Sequence, residues 1–243
     1  MSAVALQLPS HLDPPIGFAH RGGKAHAREN TLEAFQLARK LGATGLETDV
    51  FLTRDGHVAL DHDGVVGRLL WQRGFHELDR AELPDHVITL AELYDTIGTD
   101  YELAIDIKDP HAAEATIKTA QEYGVDHRLW ACGPDWEVVA GWRQYSDVVK
   151  LVDSTRKHHV KGGLERRAAQ LTEARIDAIN MHHSDWSGGH ATMFHRFGIV
   201  TLAWDAQRDH ELDEMLRIGM DGVFSDHVTR LTDALDRRAK RRR

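Results

Sequence analysis

The stretch LETDVFLTRDGHVALDHD at residues 46–63 decides how this chain is read. Its first six residues are mostly apolar and have strand character, yet they include two acids, Glu47 and Asp49. Side chains two apart in a strand point to the same face. A charge inside a strand is costly unless it is paired or ligating, so this shared acidic face marks a strand that ends at a site. Asp55-Gly56 is a turn signal, residues 57–61 form another short extended segment, and His62 follows.

Outward from this stretch, short strand-like runs alternate with helical ones. Further strands are expected at residues 16–19, 101–107, 128–132, 148–152, 177–181, 199–204 and 222–224. Helices are expected near 111–123, 135–145, 161–174, 191–197, 210–218 and 228–239. Two more helices open on the capping boxes Asn30-x-x-Glu33 and Thr89-x-x-Glu92. Such alternation implies a parallel sheet. If 57–61 extends the second strand, about eight repeats result, which predicts a (β/α)8 TIM barrel as a single domain over residues 1–243. An open doubly wound sheet shares the pattern, but no glycine-rich dinucleotide fingerprint follows the first strand. Residues 64–85, with Trp71 and Phe75, lack periodicity and read as a small insertion after the second strand region. A cover over the barrel mouth and an ordinary surface excursion are equal readings of it.

Composition narrows the class. Of 243 residues, 42% are hydrophobic, which suits a globular core. No apolar run is long enough to span a membrane, and no signal-peptide pattern opens the chain. The single cysteine, Cys132, rules out an intramolecular disulfide, fits a reducing cytoplasm, and reads as a small buried hydrophobe. The net charge is −8, and residues 237–243 hold six cations; without those six the remainder carries −14. An acidic body repels nucleic acid. The basic tail is expected to continue the last helix and fray into solvent.

In a barrel of this kind the chemistry sits where strands end and loops begin. HRGG at residues 20–23 puts His20 and Arg21 at the end of the first strand. Asp106 and Lys108 end a later one, Trp204 and Asp205 another, and Ser225-Asp226 the last. Glu47, Asp49 and Asp106 form an all-oxygen donor set suited to one divalent cation, Mg²⁺ or Ca²⁺. His20 and His62 are the candidate general acid and base, since imidazole titrates near neutrality. Arg21 and Lys108 are placed to meet phosphate oxygens; for Lys108 a structural ion pair with Glu47 or Asp106 is a parallel reading. Trp204 reads as a pocket wall or as a core tryptophan. His182 and His183 are further pocket candidates, whereas His158, His159 and His195 read as ordinary surface groups among 17 histidines. Two acid/base groups, a cation clamp and phosphate-facing cations are what hydrolysis of a phosphate diester needs.

As an ordered set these residues resemble the glycerophosphodiester phosphodiesterase family. The matching text is His20-Arg21-Gly22, Glu29-Asn30-Thr31, Ala34-Phe35, Gly42-Ala43, Glu47-Thr48-Asp49-Val50, Thr53-Arg54-Asp55-Gly56 and His62-Asp63. Asp106-Ile107-Lys108, Trp204 and Gly219-Met220-Asp221-Gly222-Val223-Phe224-Ser225-Asp226 continue it. The resemblance implies a (β/α)8 barrel that hydrolyses glycerophosphodiesters to an alcohol and sn-glycerol 3-phosphate. It implies His20 and His62 as the acid/base pair, Glu47 and Asp49 on a divalent metal, and Arg21 and Lys108 on the phosphate. Asp106 stands where the family usually has glutamate, Arg28 where it has proline, and Cys132-Gly133 where it has a Ser-Phe pair. The segment Trp204-Asp205-Ala206-Gln207 also departs from the family's motif. Asp106 is similar to the sphingomyelinase D type as well, so a lysophospholipase D or sphingomyelinase D type activity is the alternative, with Leu69, Leu70, Trp71 and Phe75 as its apolar groove. A non-catalytic phospho-ligand-binding barrel is the third reading. The expected partner is a small-molecule glycerophosphodiester or lysolipid.

Overall fold

The structure, a computed structural model, describes residues 7–67 and 71–241. In chain order it runs β1 (Ile16–Ala19), α1 (Leu32–Lys40), β2 (Gly45–Leu52), β3 (Val58–Leu60), β4 (Val65–Val66), β5 (Arg73–Gly74) and α2 (Leu90–Ile97). It continues with β6 (Glu102–Ile107), α3 (Ala112–Glu122), β7 (Leu129–Gly133), α4 (Trp136–Gly141), β8 (Lys150–Thr155) and α5 (Leu164–Glu173). The last elements are β9 (Ala178–His182), α6 (Gly188–Arg196), β10 (Val200–Trp204), α7 (Asp209–Arg217), β11 (Gly222–Ser225) and α8 (Val228–Arg241).

Eight strands, β1, β2 and β6 to β11, pair in parallel in that order, and β11 returns to β1 with Ile16 opposite Gly222 and Ala19 opposite Ser225. This is the closed (β/α)8 barrel expected from the alternation. Strand β3 is not a ninth stave. It pairs antiparallel with β2, Val50 opposite Leu60 and Leu52 opposite Val58, and so turns the chain back along β2.

Strand parity divides the core in two. One set of side chains fills the barrel: Ile16, Phe18, Ala104, Trp130, Cys132, Val152, Ala178, Leu202 and Phe224. Phe18 and Phe224 stack there with ring centres 4.5 Å apart. The other set, Leu46, Val50, Leu103, Ile105, Ile107, Ile179, Met181 and Val223 among them, faces outward against the helices. Alternation thus aims Glu47, Asp49 and Asp106 inward, because their odd-even partners are spent on the helix layer.

Three local expectations change. Helix α1 is capped by Thr31, whose Oγ1 accepts from the Ala34 amide, and not by Asn30; Asn30 takes a left-handed backbone (φ 54°) and turns its side chain to the barrel. The capping box at Thr89 and Glu92 forms as read, each side chain bonding the other's amide. The insertion makes its own small core, in which Phe75 packs with Ala59, Leu78, Leu83 and Val87. Phe75 therefore lines no groove, Trp71 is 86% exposed, and Leu69 and Leu70 lie outside the described residues. The basic tail does not simply fray: Arg237 pairs with Asp213, and the buried Arg238 donates to Ser10 Oγ at 2.7 Å, fastening the N-terminal arm.

Candidate active site

A cavity of about 520 Å³ opens at the carboxyl ends of the strands. His20, Arg21, Glu47, Asp49, Asp106, Lys108 and Trp204, all singled out in the sequence, line it together. The chain enters it through a single turn, His20–Gly22, directly after β1. Arg21 sits in the left-handed region (φ 50°), a costly conformation for a residue with a Cβ. That geometry aims the Arg21 amide at Glu47 Oε2 (2.8 Å) while its guanidinium reaches Glu29 (3.0 Å) and Asp49 (3.3 Å). Gly23 (φ 81°) follows, and a Cβ there would lie 2.5 Å from Val228. Glycine is required for the turn to lie against α8.

His20 is held between two acids. Its Nδ1 lies 2.6 Å from Asp226 Oδ1, and its Nε2 lies 3.8 Å from Glu47 Oε2. Burial alone would depress its pKa, but the charge of Glu47 and the bond to Asp226 outweigh burial and hold it above the ordinary histidine value. Asp226 is fixed in turn by Gln207, whose Oε1 accepts its amide at 2.9 Å. Glu47 is pushed up to about 7 by burial, with Asp49 and Asp106 adding like charge and His20 opposing it.

Asp49 and Asp106 are register partners on β2 and β6. The ammonium of Lys108 spans them, 3.1 Å from Asp49 Oδ1 and paired with Asp106 Oδ2. Burial raises the Asp106 pKa despite this ammonium. Both readings of Lys108 thus meet in one place, since a cation facing the pocket is also the partner of two carboxylates. Asn30 supports Asp49 from below: Thr48 Oγ1 donates to Asn30 Oδ1 at 2.9 Å, and Asn30 Nδ2 lies 3.5 Å from Asp49 Oδ2.

His62 is set at the edge. The β2–β3 turn brings it back, with the Asp61 amide bonded to the Asp49 carbonyl, so that its charge bears on Asp106. Its Nδ1 is 2.7 Å from Asp63, its side chain is 37% exposed, and it stands beside the cavity and not in its wall.

The donor set suits a hard divalent ion by composition: three carboxylates line one cavity, and the Cys132 thiol beside them is held protonated by burial. In the present arrangement Asp106 is turned to Lys108, and among the described residues no three carboxylate, imidazole or thiol groups are gathered tightly enough to enclose a metal. Glu47 and Asp49 share one face of β2, and the raised pKa of Glu47 comes first from burial, with Asp49 and Asp106 adding like charge.

The far wall comes from β8, β9 and β10: Ser154, Arg156, His159, Asn180 and Trp204. The Arg156 guanidinium lies 5.6 Å from the Trp204 ring centre. His182 meets the same ring edge-on at 4.6 Å and bonds Asp205. His159 is exposed, as its reading as a surface group has it, and also touches the cavity's rim. His195 is also no surface group: its side chain is 10% exposed and pairs with buried Asp221 at the opposite end of the barrel. Asn180 and Arg156 line the cavity without being singled out in the sequence, while Asp226 stands there only as a strand end and Asn30 only as a helix cap and within the Glu29-Asn30-Thr31 motif. For Asp226 the signal was its place after the last strand, and for Asn180 its inward parity.

Comparison with known proteins agrees with this geometry. Residues 20–230 match the glycerophosphoryl diester phosphodiesterase family. The chain is 42% identical over 237 residues to a glycerophosphodiester phosphodiesterase of Bacillus altitudinis, covering 88% of this chain and 95% of that one. It is 27% identical over 237 residues to the glycerophosphodiester phosphodiesterase of Caldanaerobacter subterraneus subsp. tengcongensis, covering 86% and 92%. In fold it is similar to the crystal structure of a Thermotoga maritima glycerophosphodiester phosphodiesterase (TM-score 0.78, 24% identity, 93% and 99% covered). An Oleispira antarctica phosphodiesterase solved with its product sn-glycerol-3-phosphate is also similar (TM-score 0.75, 21% identity, 91% and 97% covered).

Proposed function

The chain belongs to the glycerophosphoryl diester phosphodiesterase family, and on that premise we propose that it hydrolyses glycerophosphodiesters to an alcohol and sn-glycerol 3-phosphate. The observation that carries the reading is the joining of His20, Arg21, Glu47, Asp49, Asp106 and Lys108 around one cavity at the strand ends. A phosphodiester is anionic, and its displacement needs a proton donor for the leaving oxygen, a base for the nucleophile and positive charge at the phosphoryl oxygens.

In this reading Glu47, Asp49 and Asp106 would hold one Mg²⁺ or Ca²⁺, which would supply positive charge to a phosphoryl oxygen. Arg21 and Lys108 would meet the remaining oxygens. His20, kept protonated by Asp226 and Glu47, donates a proton to the leaving alcohol. His62, oriented through Nδ1 by Asp63, takes the proton of the attacking hydroxyl, whether of water or of the glycerol itself. A cytoplasmic location belongs to the same proposal and is supported by the lone, buried Cys132. No described helix is long and apolar enough to cross a membrane.

The test is release of glycerol 3-phosphate from glycerophosphoglycerol by the purified chain, read by a coupled dehydrogenase, with Mg²⁺ or Ca²⁺ and after chelation. Absence of product with either ion removes the proposal; undiminished turnover after exhaustive chelation removes the metal from it. The lysolipid alternative loses one of its supports, since Phe75 belongs to the insertion's core.

A further inference from the structure

The catalytic groups occupy one side of the cavity, on β1, β2 and β6. The far wall, with Ser154, Asn180 and Trp204 on the opposite strands, is left to meet whatever part of the substrate is not phosphate. One of them is incomplete. Asn180, at the middle of β9, points into the barrel between Ser154 on β8 and Leu202 on β10. It is 6% exposed. Its Nδ2 donates to Ser154 Oγ at 3.4 Å, whereas its Oδ1 has no hydrogen-bond partner among the described residues. A buried carbonyl oxygen left unpaired is destabilising. An aliphatic side chain, such as Leu202 beside it, would fill this place in the lumen for the loss of only the long bond to Ser154, so an amide here points to a ligand.

We propose that Asn180 is a specificity residue whose Oδ1 accepts a hydrogen bond from a hydroxyl group of the substrate. The inference rests on the phosphodiesterase reading for the identity of the substrate, and on the cavity alone for the site. The donor is a neutral hydroxyl and not an ammonium. The Arg156 guanidinium, anchored to Asp185 at 2.7 Å, covers the Trp204 face that an organic cation would otherwise use, and repels such a cation. The nearby Asp205 offers no open counter-charge, since its two oxygens are bonded by His182 and Gln207. A glycerophosphodiester has hydroxyls in two places, on the retained glycerol and on a polyol leaving alcohol, and both have the chemistry that Oδ1 accepts.

The experiment compares kcat/KM for three diesters: glycerophosphoglycerol, its analogue lacking the primary hydroxyl of the retained glycerol (the secondary hydroxyl being kept because it can serve as the nucleophile), and its analogue with propanol as leaving alcohol. The wild type is expected to disfavour one analogue by about tenfold or more, and Asn180→Leu to bring that ratio within about twofold of unity. Which analogue shows the effect tells whether the retained glycerol or the leaving alcohol is read; either supports the proposal. Asn180→Ser, which keeps an acceptor, is expected to retain part of the preference, and guards against a misfolded leucine variant. Calorimetric binding of glycerol 3-phosphate and of propyl phosphate to the same proteins reads the retained-glycerol hydroxyl without turnover. If no diester is cleaved but this binding preference exists and falls in Asn180→Leu, the functional reading fails and the site stands. An unchanged ratio in Asn180→Leu, or a wild type indifferent to both hydroxyls, overturns the proposal.

Discussion

His20 Nδ1 lies 2.6 Å from Asp226 Oδ1 across the closure of the barrel, joining the loop after β1 to the loop after β11. The bond fixes the ring's orientation, because a carboxylate on Nδ1 holds a proton there, favours the imidazolium and points Nε2–H at Glu47 and the cavity. Asp226 is accordingly a positioning residue. Asp226→Asn preserves the shape but removes the negative charge that favours the imidazolium. It is expected to lower kcat by about a hundredfold or more with KM changed less, and to shift the pH profile of kcat. Steady-state kinetics across pH checks this; a uniform loss without any shift would assign Asp226 to the fold alone.

The two histidines are expected to be separable from binding. His20→Ala and His62→Ala should each reduce kcat by roughly 10²–10⁴-fold. Glycerol 3-phosphate should still bind both variants in calorimetry, since Arg21 and Lys108 remain. His62, more exposed and outside the cavity wall, provides the sharper test. Activity near the wild-type level in His62→Ala would transfer the second proton-transfer role to another group.

Cation binding is expected to depend on Glu47 first. Glu47→Gln keeps the bond from the Arg21 amide but removes the charge, and should weaken Mg²⁺ or Ca²⁺ binding by at least about tenfold. Isothermal titration of the chelator-treated protein measures it directly. Equal affinity in wild type and variant would place the ion elsewhere.

Stability should carry an acid limb from Asp221. This fully buried carboxylate accepts from His195, Thr201 and the amide of Leu12. Burial would raise its pKa, but these bonds hold it below the ordinary carboxylate range. A depressed folded value means that the native state favours the ionised form, so its contribution is complete above the unfolded pKa of about 3.9 and is lost as pH falls through the folded value. Asp221→Asn should cost about 3 kcal/mol near neutrality and show a weaker fall in melting temperature on acidification. Thermal unfolding at about pH 7 and at about pH 3 compares the two; parallel curves would deny the linkage.

What the sequence made legible was whatever depends on local order. Strand periodicity, the Thr89 cap and the Glu47/Asp49 parity all follow from spacing of a few residues, and the structure has each. What it did not make legible depends on closure. The His20–Asp226 bond joins positions at opposite ends of the chain, and only the β1–β11 pairing makes them neighbours. Asn30 was read as a cap because its spacing to Glu33 allowed it; Thr31, one residue on, capped the helix and left Asn30 for Asp49. His195 seemed ordinary because nothing near it in sequence announces Asp221, 26 positions away. Strand parity is enough to turn Asn180 inward, but an unpaired oxygen is a property of packed neighbours, and no pattern of residue types displays it.

The left-handed backbone at Arg21 carries about 1–2 kcal/mol of conformational strain that glycine would not. The guanidinium offsets it by pairing with buried Asp49 and with Glu29, and removing one partner of a buried pair costs about 3–5 kcal/mol. Selection of random variants for survival at elevated temperature is therefore expected to keep the arginine, as selection for product formation should.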